Sequence, residues 1–209
     1  MKILLIRHGR TAWNKELVFR GGTDVPLDGA GVRQTTDLAR RLRRAGLAAV
    51  YSGPLARARR TAELVAAPHR LPVTVLPGLD DMRFGAWEGR PLAAVERAHP
   101  AQFKRWKTEP WRLRIPGGTT LRQVETGAWR TLRAIAGRHR ADDTVAVVSH
   151  RVVLKLLVLR MLGAGPRGFW RIALDPCSLT VAGWDGDSFA LERLNDTGHL
   201  GRRGGGADF

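Results

Sequence analysis

The sequence predicts an α/β protein of three layers, α/β/α, in which helices cover both faces of a mostly parallel central sheet. Short apolar runs alternate with helical segments along most of the 209 residues, a pattern typical of parallel sheets with helical crossovers. Several apolar runs end in polar residues where a helix or loop begins. No internal repeat or long linker divides the chain, so we expect a single domain over residues 1–200.

The first half of the chain alternates strands and helices. The expected elements, in order, are a strand at 2–7, a helix near 30–44, a strand at 48–52, a helix at 54–67 and a strand at 72–76. Each strand is a short apolar run. Leu38 and Leu42 lie four residues apart and give the first helix an apolar face. Pro54 is placed in the first turn of the second helix, where its missing N–H costs no hydrogen bond.

The middle of the chain, residues 78–118, is interrupted repeatedly by glycine and proline. Short helices are expected near 91–98 and 100–107. An irregular excursion between strands often forms a lid over a site. Tryptophans more often pack in a core or a lid than stack on a ligand, and Trp106 and Trp111 are the best candidates in this chain to cover a substrate.

The second half returns to alternating elements. The expected order is a helix at 120–139, a strand at 144–149, a helix at 152–162, and paired strands at 179–184 and 189–194. Thr120 and Gln123 have the spacing of a capping box at the start of the long helix. The glycine-rich tail, residues 201–209, is predicted to be disordered.

The formal net charge is +16, and 30 of the 35 basic residues are arginine. Most of this excess is expected on solvated faces, although arginine also binds phosphate through two parallel hydrogen bonds. Charge alone supplies only salt-sensitive attraction to nucleic acid, and no RNA-binding motif is visible. The composition therefore predicts no specific nucleic-acid partner, and only part of the arginine excess is a candidate to line a site for an anionic ligand.

The remaining composition favours a cytoplasmic protein. Cys177 is the single cysteine, so neither an intramolecular disulfide nor a cysteine-based metal cluster is expected. Four consecutive apolar residues before Arg7 are too few for a signal peptide. The apolar stretch 152–162 contains Lys155 and Arg160 and is too short to span a bilayer. No membrane partner is expected, and the oligomeric state stays open, a homodimer included.

Three strand ends carry the residues with chemical potential. Arg7 and His8 end the first strand, Arg57 follows the second strand, and His150 ends the strand at 144–149. Because the carboxyl ends of parallel strands lie at one sheet edge, these four side chains are expected to converge. Two guanidinium groups, two imidazoles and nearby helix N-termini form a site for a dianion.

These segments resemble the histidine phosphatase superfamily, which includes cofactor-dependent phosphoglycerate mutases and broad phosphomonoesterases. The resemblance covers roughly residues 3–198. Its matching blocks, in order, are Arg7-His8-Gly9 with Thr11 and Asn14, Gly21 with Asp24-Val25-Pro26-Leu27, Ser52 with Leu55-Ala56-Arg57-Ala58 and Thr61-Ala62, Phe84-Gly85-Ala86-Trp87-Glu88-Gly89, Pro116-Gly117-Gly118, and Val147-Val148-Ser149-His150. A lone Arg-His-Gly motif is weak evidence for this family, whereas six blocks in the family's order are specific evidence for it.

The resemblance implies a role for each matching residue. His8 attacks phosphorus and forms a phosphohistidine, which divides one displacement into two easier ones. Arg7, Arg57 and His150 hold the phosphoryl oxygens, with help from Asn14. No metal and no cofactor is implied, and Gly9 lets the backbone approach the ligand closely.

The general acid is the point at which this chain departs from the family. The usual glutamate falls at Asp81, which is one methylene shorter, while Asp80 and Glu88 remain rivals. A pKa raised toward neutrality would suit the acid. Arg20 and Gly21 occupy positions where relatives approach the substrate. A second departure is Arg151, which follows His150 where many relatives have glycine.

Three functions remain in competition. The first is a phosphatase that acts on a small phosphorylated metabolite. The second is a phosphoglycerate mutase, which Leu92 disfavours because mutases resemble one another in a lysine there; the short segment 100–118 also disfavours it. The third is a non-catalytic basic protein that binds phosphate or RNA, which the intact histidines and arginines disfavour.

Overall fold

Within residues 1–203, which the computed structural model describes, six strands form one sheet in the order β3-β2-β4-β1-β5-β6. The strands are β1 (Lys2–Arg7), β2 (Leu47–Ser52), β3 (Val73–Val75), β4 (Thr144–Ser149), β5 (Leu179–Trp184) and β6 (Phe189–Asp196). Strands β1 to β4 are parallel to one another, whereas β5 is antiparallel to both of its neighbours, β1 and β6. The predicted mostly parallel sheet is confirmed.

Helices follow the strands and cover the sheet. They are α1 (Ala12–Lys15), α2 (Gly29–Leu42), α3 (Ala56–Ala66), α4 (Leu92–Ala98), α5 (Pro100–Thr108), α6 (Leu121–Ala136) and α7 (Arg151–Met161). The capping box at the start of α6 is confirmed, since Gln123 N–H donates to Thr120 Oγ1 and Thr120 N–H donates to Gln123 Oε1. The short α1 was not expected in the loop after β1.

Alternating residues of the central strands contribute their side chains to two hydrophobic cores, one on each face of the sheet. On one face, Leu4 and Ile6 of β1 pack with buried residues of α2 and α3. On the other face, Ile3 and Leu5 pack with α6, α7 and the middle segment. The three-layer architecture follows directly from this period-two alternation.

One prediction about local structure is wrong. Pro54 precedes α3 rather than lying in its first turn, because Leu55 is the N-cap residue and the helix begins at Ala56. The disorder predicted for the tail stays a prediction. Its first three residues belong to a 3₁₀ segment, Gly198–Arg203, and residues 204–209 lie outside the described residues.

One tryptophan of the middle segment, residues 78–118, is buried in the core and does not lie over the site. Trp106 is fully buried and packs edge-to-face against Phe84 and Trp170, at ring-centroid distances of 5.3 and 5.2 Å. Trp106 is therefore excluded as a cover for the substrate, because its indole packs in the core, which is the alternative that the sequence favoured for its tryptophans. A covering role for Trp111, which is partly exposed, stays a prediction.

Candidate active site

The registers of three parallel strands bring the predicted residues together. Arg7 at the end of β1 pairs with Ser149 of β4, and Ser52 of β2 pairs with Val148. The His8 N–H also donates to the Ser149 carbonyl at 3.0 Å. The residues that follow each strand therefore emerge at one sheet edge, as predicted from the parallel topology.

His8 is buried, with 1% of its surface exposed. Its Nδ1 lies 2.7 Å from the Gly9 carbonyl oxygen. Because a carbonyl oxygen only accepts, Nδ1 carries the proton, and Nε2 keeps its lone pair. Burial and the positive charge of Arg57 and other nearby cations hold the pKa of His8 well below its usual value. The ring is thus neutral, with a nucleophilic nitrogen available.

Gly9 makes a close approach between the loop after β1 and the start of α2. A Cβ added to Gly9 would lie 2.7 Å from the Gly31 carbonyl oxygen and 2.8 Å from Thr35 Oγ1. Its N–H donates to Thr61 Oγ1 of α3 at 3.1 Å. Residues of α2 therefore leave no room for a side chain at Gly9. This close packing holds Gly9, the residue next to His8, in place.

His150 is the second imidazole of the site and the N-cap residue of α7. Its ring centroid lies 5.2 Å from that of His8. Burial, together with Arg57, Arg20 and Arg7, lowers the pKa of His150 to about 3, although Asp81 opposes the shift. Within the described residues neither ring nitrogen has a hydrogen-bond partner. Since buried polar atoms are normally satisfied, these nitrogens mark a place for a ligand.

Two buried arginines surround the imidazoles. Arg57 is the second residue of α3 and donates to the carbonyls of Gly21 and Thr23, both at 2.8 Å. Arg7 donates to the Leu174 carbonyl at 2.6 Å. These backbone contacts fix both guanidinium groups before any ligand arrives, which limits the entropy lost on binding.

Asp81 lies inside this cluster. Its Oδ2 accepts from Arg57 at 3.0 Å and lies 3.6 Å from His150 Nδ1, while its Oδ1 accepts from the Met82 N–H. Burial raises the pKa of Asp81, but its electrostatic interactions with His150, Arg57 and Arg20 and the Met82 hydrogen bond outweigh burial and lower the pKa overall. This direction contradicts the raised pKa expected of the acid, because the cationic cluster stabilises the carboxylate.

The two rival carboxylates have other contacts. Asp80 Oδ1 accepts from the Asp81 N–H at 2.8 Å, and burial raises the pKa of Asp80. Glu88 Oε1 accepts from the N–H groups of Gly22 and Phe84, at 3.0 and 2.8 Å. Glu88 therefore tethers a loop, and of the three carboxylates only Asp81 lines the cleft around His8.

Asn14 has a clear structural contact. Its Oδ1 accepts from the Thr11 N–H at 2.8 Å and from the Thr11 hydroxyl at 2.9 Å, which closes a capping box at the start of α1. The side chain is buried close to the end of β1. Its predicted assistance in phosphate binding stays a prediction.

Arg20 and Gly21 line the narrow cleft that also contains His8 and Asp81, where substrate contact was predicted. The same cleft is lined by Arg151, which the sequence marked as unusual but did not place among the site residues. Its position directly after His150, at the first turn of a helix, was the available signal. Among residues 1–203 no group of three or more potential metal ligands is found.

Residues 1–203 contain no helix long and apolar enough to cross a membrane.

The class that this fold and this cluster define is an α/β enzyme of phosphoryl transfer. Residues 3–197 match the histidine phosphatase superfamily (branch 1), and the chain belongs to that superfamily. The family prediction made from the six sequence blocks is confirmed.

Two curated relatives and one solved structure show how close the likeness is. Phosphoserine phosphatase 1 of Hydrogenobacter thermophilus is 31% identical over 201 residues, which cover 96% of this chain and 95% of that protein. The adenosylcobalamin/alpha-ribazole phosphatase of Escherichia coli is 31% identical over 177 residues, 84% of this chain and 86% of that protein. Bacillus stearothermophilus YhfR superposes with a TM-score of 0.91 at 29% identity, covering 95% of this chain and 98% of that chain.

Proposed function

We propose that the protein is a phosphomonoester hydrolase that acts on a small phosphorylated metabolite through a phosphohistidine at His8. The observation that carries this proposal is the hydrogen bond from His8 Nδ1 to the Gly9 carbonyl, because it leaves Nε2 unprotonated among buried cations. The two curated relatives described above carry phosphatase names.

In the first step, His8 Nε2 donates its electron pair to phosphorus. The bond between phosphorus and the ester oxygen breaks, and its electron pair leaves with that oxygen. Arg7, Arg57 and His150 surround the phosphoryl oxygens. The two guanidinium groups compensate the charge that gathers on these oxygens, and the neutral His150 ring donates one N–H. Phosphoryl transfer depends mainly on such positioning and charge compensation.

Asp81 supplies the proton that the leaving oxygen needs. A bound phosphoryl dianion would oppose the electrostatic effect of Arg57 and so raise the pKa of Asp81 toward the range of a general acid. In the second step, the Asp81 carboxylate takes a proton from water, whose oxygen attacks phosphorus. The nitrogen–phosphorus bond then breaks, and inorganic phosphate and neutral His8 are formed.

Water is favoured over a second substrate as the acceptor. The cleft around His8 is narrow and its lining includes Val18, Phe19 and Phe84, so little room remains for a second phosphorylated molecule. The proposal requires a small phosphorylated substrate and neither a membrane nor a specific nucleic acid. A cytoplasmic location and a homodimer stay predictions.

Replacement of the nucleophile tests this function. His8→Ala is expected to lower p-nitrophenyl phosphate turnover on the order of 10⁴-fold or more, because the covalent route is lost. It should also abolish the acid-labile, base-stable phosphoprotein that quenched wild-type reactions contain. His69→Ala is the matched control, since His69 lies at the end of a 3₁₀ turn, Ala67–His69, outside the cleft.

Equal turnover by His8→Ala and wild type would refute the phosphohistidine. Isomerisation of 3-phosphoglycerate that requires a bisphosphoglycerate primer, without hydrolysis of p-nitrophenyl phosphate, would instead establish the mutase.

A further inference from the structure

Helix α7 carries two buried cations, four residues apart, that the proposed chemistry does not use. Arg151 is 8% exposed and Lys155 is 4% exposed. Both lie against the indole of Trp170, with the Arg151 Cζ 5.8 Å and the Lys155 Nζ 4.7 Å from the ring centroid. Residues at this spacing share one face of a helix, so the two positive charges are neighbours.

Lys155 has no acidic counterpart among residues 1–203. No hydrogen bond or ion pair there involves its ammonium, whose described contacts are with the rings of Phe169 and Trp170. Burial and two further cations, Arg151 and Arg7, lower the pKa of Lys155 to about 7. Buried like charges are costly, and a strongly perturbed ionisable group behind a cleft indicates a functional site.

Arg151 connects this charge to the cleft. It lines the same cleft as His8 and Arg20, whereas Lys155 lies one helical turn behind it and does not line the cleft. Arg7, Arg57 and His150 already surround the phosphoryl group in the proposed reaction. Arg151 therefore adds a further guanidinium group to this cleft, on its α7 side.

We propose that Arg151 binds a carboxylate carried by the alcohol portion of the substrate. Lys155, one helical turn further along α7, positions Arg151 and adds to the positive electrostatic potential at that carboxylate. A guanidinium group pairs with a planar carboxylate through two parallel hydrogen bonds. The preferred substrates are then phosphomonoesters with a carboxylate a few bonds from the phosphate. This inference rests on the proposed phosphatase function.

The experiment compares two esters that differ only at the proposed contact, 3-phosphoglycerate and glycerol 3-phosphate, in which a CH₂OH group replaces the carboxylate. We expect kcat/KM for the wild type to be at least about tenfold higher for 3-phosphoglycerate. Arg151→Met should reduce this ratio by about 10- to 100-fold, the scale of one lost charge-assisted hydrogen-bonded pair. Lys155→Met should reduce it by about 3- to 10-fold, mainly through KM.

Two further variants separate a role in recognition from a role in packing. Lys155→Arg restores a positive charge and should recover the ratio, whereas a purely structural lysine would give no such recovery. Lys107→Met is the matched control, since Lys107 also lies over a ring, at 5.6 Å from the centroid of Phe103, but is exposed. Its ratio should equal that of the wild type.

A wild-type ratio near one, or an unchanged ratio in Arg151→Met, would overturn the carboxylate site while p-nitrophenyl phosphate turnover still supported the phosphatase. Loss of the ratio in Lys155→Arg as well as in Lys155→Met would overturn the role of the lysine charge. Failure of the wild type to hydrolyse any of the three esters would instead count against the proposed function itself.

Discussion

The protonation of three buried side chains decides what the candidate site can do. His8 and His150 are neutral because burial and the surrounding arginines penalise their charged forms. Asp81 is ionised because the same cations stabilise its carboxylate. A substrate dianion would oppose this positive field, so substrate binding and proton donation by Asp81 are coupled.

Asp81→Asn tests that coupling. The amide retains an acceptor oxygen but has no acidic proton, so esters with poor leaving groups are expected to react about 10²- to 10⁴-fold more slowly. Activated esters such as p-nitrophenyl phosphate should lose much less, because their leaving group needs no proton. The measurement is kcat/KM across a series of esters graded by leaving-group pKa.

The neighbouring carboxylate provides the control for this series. Asp80→Asn preserves an oxygen that can accept from the Asp81 N–H. It should change kcat/KM only slightly, and by the same factor for both classes of ester. An equal loss on both classes in Asp81→Asn would assign the acid to another carboxylate.

At the scale of elements, a short loop between α1 and α2 connects two parts of the site. Glu88 accepts from the Gly22 N–H, while the Gly21 carbonyl accepts from Arg57. Gly21 has a φ of +53°, and a Cβ there would overlap the Glu88 carboxylate. The loop conformation therefore depends on glycine, and the position of Arg57 depends on the loop.

Gly21→Ala should consequently affect stability and activity together. Gly46 has a similar φ of +60° but nothing within 4 Å of an added Cβ, so Gly46→Ala is expected to cost only about 1–2 kcal/mol for the left-handed conformation. Gly21→Ala should cost at least about 1 kcal/mol more, because Glu88 must give up hydrogen bonds. It should also lower kcat/KM, which Gly46→Ala should not.

Urea unfolding and steady-state kinetics of the two variants provide the comparison. Equal losses of unfolding free energy would show that the Glu88 tether contributes nothing beyond the backbone preference at Gly21.

At the scale of the whole molecule, the site concentrates buried positive charge at one edge of the sheet. A histidine held neutral in the fold takes up a proton in the unfolded chain, whose histidine pKa is about 6.5. Between that value and the folded pKa the unfolded chain binds more protons, so the free energy of unfolding falls as pH falls. For His150 this window runs from about pH 6.5 to about pH 3.

Acidification should therefore destabilise the protein before its carboxylates titrate. Lowering the pH from 6.5 to 5 is expected to remove about 2 kcal/mol of unfolding free energy per fully depressed histidine. Urea unfolding at pH 7.5, 6.5, 5.5 and 5.0 measures this loss. His150→Gln should reduce the slope, and an unchanged slope in that variant would contradict the assignment.

The sequence determined what depends on local pattern. Short apolar runs located each of the six strands in residues 1–203, because a strand that is covered by helices on both faces is apolar along its length. Parallel topology then brought Arg7, His8, Arg57 and His150 to one edge, since strand ends in such a sheet share a side. The blocks around these residues also identified the family, because catalytic chemistry restricts residue type and order.

Only the tertiary structure decided what depends on segments distant along the chain. The contact of Asp81 with Arg57, the loop tether of Glu88, the burial of Trp106 and the place of Arg151 in the cleft all join parts of the sequence that no local period relates. Proton affinity is decided at the same level, because it depends on every charge and every buried surface around a group rather than on its neighbours in sequence.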